Sequence, residues 1–152
     1  MNAINNQIYT YCFRTGALLL TGIVISGLPG NFLVNMISPQ PPWINIETYA
    51  QNFTPIQMLP IWGGFVMLVG FIGFISSVHY YSREEQRLLT LPAVVASAIY
   101  GALISLNYIL QLGVLQPRLV SHDLAGMTML VFADPHSVTM SIEMLGYGFQ
   151  GL

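Results

Sequence analysis

The sequence predicts an all-α fold, a polytopic transmembrane helix bundle of about four spans with a short interfacial helix between the first two. Three observations carry that expectation. Of 152 residues, 54% are hydrophobic and 7% charged, with a mean hydropathy of +0.63, whereas a soluble domain carries about 25% charged residues. So few charges cannot cover a surface facing water, and lipid has to solvate much of the chain. Second, the apolar residues gather into runs close to the roughly 20 residues that cross a ~30 Å hydrocarbon core. Third, all four arginines and most of the acids and prolines fall outside the runs. The length fits a single membrane domain over residues 1–152.

The first run extends from about Thr15 to Ile37 and follows Arg14. An arginine followed by Ala17-Leu18-Leu19-Leu20 also resembles the start of a signal peptide. The apolar run continues through Asn31-Phe32-Leu33-Val34, past any small-x-small cleavage site, which favours a retained span. Pro29-Gly30 is expected to kink it, because proline removes an intrahelical hydrogen bond. Residues 38–58 then carry Pro39, Pro41, Pro42 and Pro55. Between them Trp43, Ile46, Tyr49, Ala50 and Phe53 recur at helical spacing, which predicts a short amphipathic helix at the membrane interface.

The second span covers about residues 59–80, followed by the polar turn Ser82-Arg83-Glu84-Glu85-Gln86-Arg87. The third covers about 91–115, with Pro92 placed for a helix start. A polar segment from Gln116 to His136 follows, apolar enough between Leu119 and Ala133 to dip into the interface. Asp134-Pro135 reads as a helix start, with aspartate as N-cap and proline at the first helical position. The fourth run, 135–152, is still apolar at Leu152. Either it ends at the far interface or the chain is a fragment of a longer protein; the second is the expectation. A cytoplasmic N-terminus puts Arg14, Arg83 and Arg87 inside and Arg118 outside, as the positive-inside rule favours, for a multi-pass protein of the cell membrane.

Helices in lipid associate by close packing of small residues. The first run offers Gly22, Ser26 and Gly30, the second Gly63, Gly70, Gly73 and Ser77, the third Ala93, Ser97, Gly101 and Ser105. Packing within the chain is the plain reading of these rows. A face left over would serve a homo-oligomer or a membrane partner subunit.

Glu143 is the sharpest chemical feature. Eight residues past Pro135, it stands roughly 12 Å into the fourth helix. A carboxylate at that depth costs several kcal/mol (about 2.5–3.5 on insertion scales) unless it is protonated, paired or wet. On a helix His136, Glu143 and Gln150 share a face, with Tyr147 one turn beyond the acid. The third span supplies a facing polar stripe, Tyr100, Asn107 and Gln111. Asn107 lies roughly 10 Å from the outer end of its helix, so Glu143 and Asn107 reach similar depth and are expected to hydrogen-bond. The site candidates for a ligand or ion are therefore Glu143, Asn107, Gln111, Tyr100 and His136. Buried polar residues that only fix helix register are the competing account.

Other readings are excluded or set aside. Four basic residues and a net charge of −2 argue against nucleic acid. The lone Cys12 forms no intrachain disulfide. His122, Asp123, Asp134 and His136 are metal-competent, but their spacing matches no metal motif. His79 beside Tyr80-Tyr81 reads as an aromatic-belt residue. Gly146, Gly148 and Gly151 read as packing positions in an apolar helix, not as a phosphate loop. No catalytic constellation, metal or cofactor is expected, and the lipid bilayer is the expected partner.

Asn107-Tyr108-Ile109-Leu110-Gln111-Leu112 with Pro117, followed by Asp134-Pro135-His136 and Glu143-Met144-Leu145-Gly146-Tyr147-Gly148, resembles a family of prokaryotic multi-spanning membrane proteins with no assigned activity. The resemblance covers roughly the last third of the chain. It implies further hydrophobic sequence beyond Leu152 and a shared role, in packing or in a site, for the stripe residues. Two functions follow as expectations: a protein that handles a small molecule, lipid or ion through a polar intramembrane site, or an accessory subunit whose polar residues set packing. An intramembrane enzyme ranks below both, since one carboxylate lacks a partner base, nucleophile or metal.

Overall fold

The structure, a computed structural model, describes residues 3–40 and 42–151. Pro41 and Leu152, both part of the sequence expectations, lie outside the described residues. Every regular element among the described residues is helical: α1 (Ala3–Ser26), α2 (Leu28–Ile37), α3 (Ile46–Gln51), α4 (Leu59–Tyr81), α5 (Glu84–Leu110), α6 (Gln116–Ser121) and α7 (Val138–Gln150). Three stretches are long and apolar enough to cross a membrane: Asn6–Ile37, Pro55–Tyr81 and Glu84–Ser121. That is consistent with a membrane location.

The first of these begins earlier than its apolar run. Helix α1 starts at Ala3, not near Thr15. Its first turns carry Asn6, Gln7, Thr10 and Arg14, and the Thr10 hydroxyl donates back to the Asn6 carbonyl at 2.8 Å. Hydropathy locates lipid contact, and polar residues continue a helix past it. The expected kink falls between α1 and α2. Pro29 has no N–H to offer the Ile25 carbonyl, and that oxygen turns so close to Gly30 that a side chain there would collide with it. The Asn31 side-chain amide donates to the freed Ser26 carbonyl and, at 3.2 Å, to that of Gly27. Gly30 therefore serves the kink and not a contact between helices.

Helix α1 packs along α4, α4 packs on α5, and α5 on α7. Glycines set these approaches. A methyl group at Gly63 would stand 2.6 Å from Ile25 Cγ2, and one at Gly70 2.6 Å from Leu19 Cα. At Gly101 it would stand 2.5 Å from Ile72 Cδ1, and at Gly146 2.7 Å from Ile104 Cδ1. Gly148, by contrast, has open space around it. The small-residue rows of α1 and α4 thus face each other within the chain.

Two helix starts differ from expectation. Helix α5 begins at Glu84, so the polar turn shrinks to Ser82-Arg83 and Pro92 lies inside the helix. Glu84 and Glu85 in the first turn favour this start through the helix dipole. At α7 the N-cap is Ser137, whose hydroxyl accepts from the Met140 N–H at 3.1 Å. Asp134 instead accepts from the His136 N–H at 2.9 Å and closes a turn. The helix therefore starts at Val138 and, at 13 residues, is about 20 Å long.

At the far end of the bundle the chain builds a cap. The third spanning stretch continues past Leu110 through a π-helical turn, Gln111–Leu115, into α6. Pro117 cannot donate to the Gly113 carbonyl, and the Gln116 N–H reaches back to Gln111. Asn45 caps α3, its side chain accepting from the Thr48 N–H at 2.8 Å. Ile46, Tyr49 and Ala50 of α3 are buried against Met58, Leu115, Leu119, Met127 and Val131. The amphipathic face of α3 is thus covered by the 115–131 segment of the same chain. Gln57 ties the cap together: its amide donates to Ser38 Oγ at 3.0 Å and its carbonyl accepts from the Thr54 N–H at 3.4 Å.

Candidate functional site

A cavity of about 680 Å³ opens between the α1–α2 break on one side and α7 on the other, with α4 and α5 behind it. Ser26, Gly27 and Asn31 line it at the break; Asn107, Tyr100 and Glu143 line the opposite wall. Its volume is in the ordinary range for small-molecule sites, about 300–1,000 Å³. Apolar walls come from Met58, Pro60, Ile61, Met67, Phe132 and Met140.

Four of the five candidate residues line this cavity. Asn107 is fully buried and donates its side-chain amide to Glu143 Oε2. Glu143, 4% exposed, accepts a second bond at Oε1 from the Tyr147 hydroxyl at 3.1 Å. The seven-residue offset between Tyr100 and Asn107 puts both on the face of α5 that meets α7. The Tyr100 ring stands 6.0 Å from that of Tyr147 and edge-on to Phe71 at 5.7 Å. Gln111 also lines the cavity, but its amide donates to the Leu130 carbonyl. The Thr139 hydroxyl donates to the same carbonyl at 3.1 Å. Gln111 and Thr139 therefore fasten the 122–137 connection to the end of α5 and to α7 respectively.

His136 is not part of this site. It is exposed and precedes α7, so the seven-residue spacing to Glu143 does not run along one helix. Gln150 does line the cavity, at the end of α7. Among the described residues no three His, Cys, Asp or Glu side chains gather around a point. His122 ends α6 in a left-handed conformation, Asp123 pairs with Arg118 at 3.0 Å on the surface, and His79 Nδ1 meets Thr90 Oγ1 at 2.7 Å.

Tyr108, Tyr147 and Tyr49 also line the cavity, as do Gln40 and Gln57, and none of the three tyrosines is among the sequence candidates. Tyr108 follows Tyr100 by eight positions and precedes Gln111 by three, so it belongs to the same helical stripe. Gly64 of α4 leaves room for its ring: a methyl group there would stand 2.7 Å from the Tyr108 oxygen. Tyr49 reaches the cavity from α3 and is outside the spanning stretches. Burial pushes its phenol up from the ordinary value, so it stays neutral.

Two atoms in this wall have no partner. The Tyr100 hydroxyl and the Asn107 side-chain carbonyl are buried and unbonded, although their residues are 1% and 0% exposed. A buried polar group left unmatched costs about 1–3 kcal/mol, so such groups are rare away from sites of action. No basic side chain lines the cavity. Arg87, on the same helix as Asn107, is roughly 30 Å away along it. Three helices long and apolar enough to span a membrane border the cavity, consistent with a membrane location. No family model, no curated protein and no solved structure matches the chain.

Proposed function

We propose that this chain is a multi-pass protein of the cell membrane that binds a small ligand in the cavity between α2 and α7. In this reading α7 is a short fourth membrane helix, α3 lies at the outer interface, and the N-terminus is cytoplasmic. Glu143, Asn107 and Tyr100 meet the polar end of the ligand, and the methionine-rich wall takes its apolar part. One observation carries the reading. The Tyr100 hydroxyl and the Asn107 carbonyl, both unmatched, flank a buried carboxylate on the wall of a ligand-sized cavity.

The second reading is an accessory subunit, alone or self-associated, whose polar cluster sets helix register. The bond from Asn107 to Glu143 favours it, since it ties α7 to α5, and the Tyr147 bond within α7 satisfies the second carboxylate oxygen.

Tyr100→Phe separates the two, because it removes only the unmatched hydroxyl. Under the ligand reading the empty protein gains about 1 kcal/mol or more in stability, since an uncompensated buried group is lost. Native mass spectrometry of the full chain released from lipid nanodiscs then shows less retained small molecule than wild type. A loss of stability of similar size, with no retained molecule in either protein, would mean the hydroxyl belongs to packing and would overturn the ligand reading.

A further inference from the structure

The chemistry of the cavity specifies more than its size. We infer that the ligand is an organic cation, a protonated amine carrying an aromatic or short aliphatic group, with its ammonium held by Glu143. This rests on the ligand-binding reading above and names the ligand class for the same site.

The polar groups left free to meet a ligand favour a donor. The Glu143 carboxylate has both oxygens bonded to neutral donors only, the Asn107 amide and the Tyr147 hydroxyl. Neither would cancel the charge of its ionised form, and no arginine or histidine lines the cavity. The Asn107 side-chain carbonyl beside it is an unmatched acceptor. A bound ammonium supplies the missing positive charge and donates to that carbonyl, with further N–H directions open to the carboxylate and the Tyr100 oxygen. An anion would meet the carboxylate in a poorly hydrated site, where like charges repel most strongly. A neutral alcohol would satisfy the acceptor and leave the charge alone.

The surroundings favour an ammonium over a metal ion. Calcium needs about six to eight oxygen ligands, and here one carboxylate stands without a second acid. The electron-rich faces of tyrosine rings attract cations when water is excluded. Tyr100, Tyr108 and Tyr147 bring three such rings to the wall that holds Glu143. The apolar remainder of the ligand has Met58, Met67, Met140, Ile61 and Phe132 to pack against. A carboxylate ringed by tyrosines, next to one free carbonyl and an apolar pocket, is the arrangement a lipophilic amine requires.

Isothermal titration of the full chain in detergent micelles, with 2-phenylethylammonium and its neutral isostere 2-phenylethanol as probes, tests this. The ammonium should bind at least about tenfold more tightly than the alcohol. Glu143→Gln keeps the shape and can keep both contacts, its carbonyl accepting from the Asn107 amide and its amide donating to the Tyr147 oxygen. It should weaken the ammonium at least about tenfold more than it weakens the alcohol. Retained alcohol binding in that variant shows that the cavity is intact. Equal binding of both probes, unaltered by Glu143→Gln, overturns the cation inference and leaves the ligand-binding reading standing. Failure of the ammonium to bind wild type also overturns it, and the stability of Tyr100→Phe then decides the broader reading independently.

Discussion

Gly70→Ala tests the packing that sets one wall of the cavity. The added carbon would collide with the Leu19 backbone nitrogen and stand 2.6 Å from Leu19 Cα, where ordinary contact starts at 3.4 Å, a deficit of at least 0.8 Å. The obstruction is backbone, so no rotamer change relieves it, and α1 has to move away from α4. A gap of about 0.5–1 Å forfeits a quarter to a half of the dispersion attraction between atoms in contact. The loss spreads to Gly63 against Ile25 and Gly73 against Thr15, because all belong to one rigid helix pair. Overpacking a well-fitted site costs about 1–3 kcal/mol, and the upper half of that range applies here. Gly148→Ala is the control. Nothing approaches a side chain at that position, and replacing a helical glycine by alanine gains up to about 1 kcal/mol. Unfolding by sodium dodecyl sulphate in mixed micelles, followed by the fluorescence of Trp43 and Trp62, measures both. The two variants should depart from wild type in opposite directions. A Gly70→Ala midpoint within about 0.5 kcal/mol of wild type, the scatter of a neutral surface change, would refute the claim that α1 and α4 meet backbone to backbone.

Gln111→Leu should release the Leu130 carbonyl to a single partner, Thr139, and loosen the 122–137 connection at a cost of about 1–3 kcal/mol. Amide hydrogen exchange should rise in that segment more than in α4, and uniform exchange would refute the assignment. Asn45→Ala should lose the cap of α3 and cost about 0.5–2 kcal/mol. Limited proteolysis between residues 38 and 54 should quicken, and an unchanged cleavage rate would show that the Gln57 bonds alone hold the segment.

The long helices were legible because lipid imposes a simple demand: about 20 apolar residues in a row. The kink was legible because Pro29 removes a donor at a fixed place. The shared depth of Asn107 and Glu143 came from counting residues along two antiparallel helices, and the structure puts them within hydrogen-bonding reach. What failed was local competition. Asp134 and Ser137 are both good caps, and only the folded chain shows Asp134 engaged with His136 and Ser137 with Met140. That three-residue shift removed His136 from the face of Glu143. The start of α1 was missed because its first turns are polar. The cover over α3 depends on Leu115, Leu119, Met127 and Val131, more than 60 positions away, which no local pattern encodes.

Whether the polar cluster is glue or a site turns on particular atoms, not on the cluster as a whole. Asn107 Nδ2 and Glu143 Oε2 form the bond that holds α7 against α5, Tyr147 bonds Oε1 within α7, and these would serve a packing role unaided. Asn107 Oδ1 and the Tyr100 hydroxyl contribute nothing to that attachment. A cluster that only set register would be more stable without them: phenylalanine at position 100 fills the same space with no unmatched oxygen. The paired atoms account for the fold of α7, and the unpaired ones belong to residues that line the cavity between the two helix pairs, α1–α4 and α5–α7. One residue, Asn107, thus belongs to both accounts, its amide directed to the helix it anchors and its carbonyl left without a partner. A polar residue retained for packing alone has reason to satisfy both ends; one retained for a ligand has reason to leave one end free.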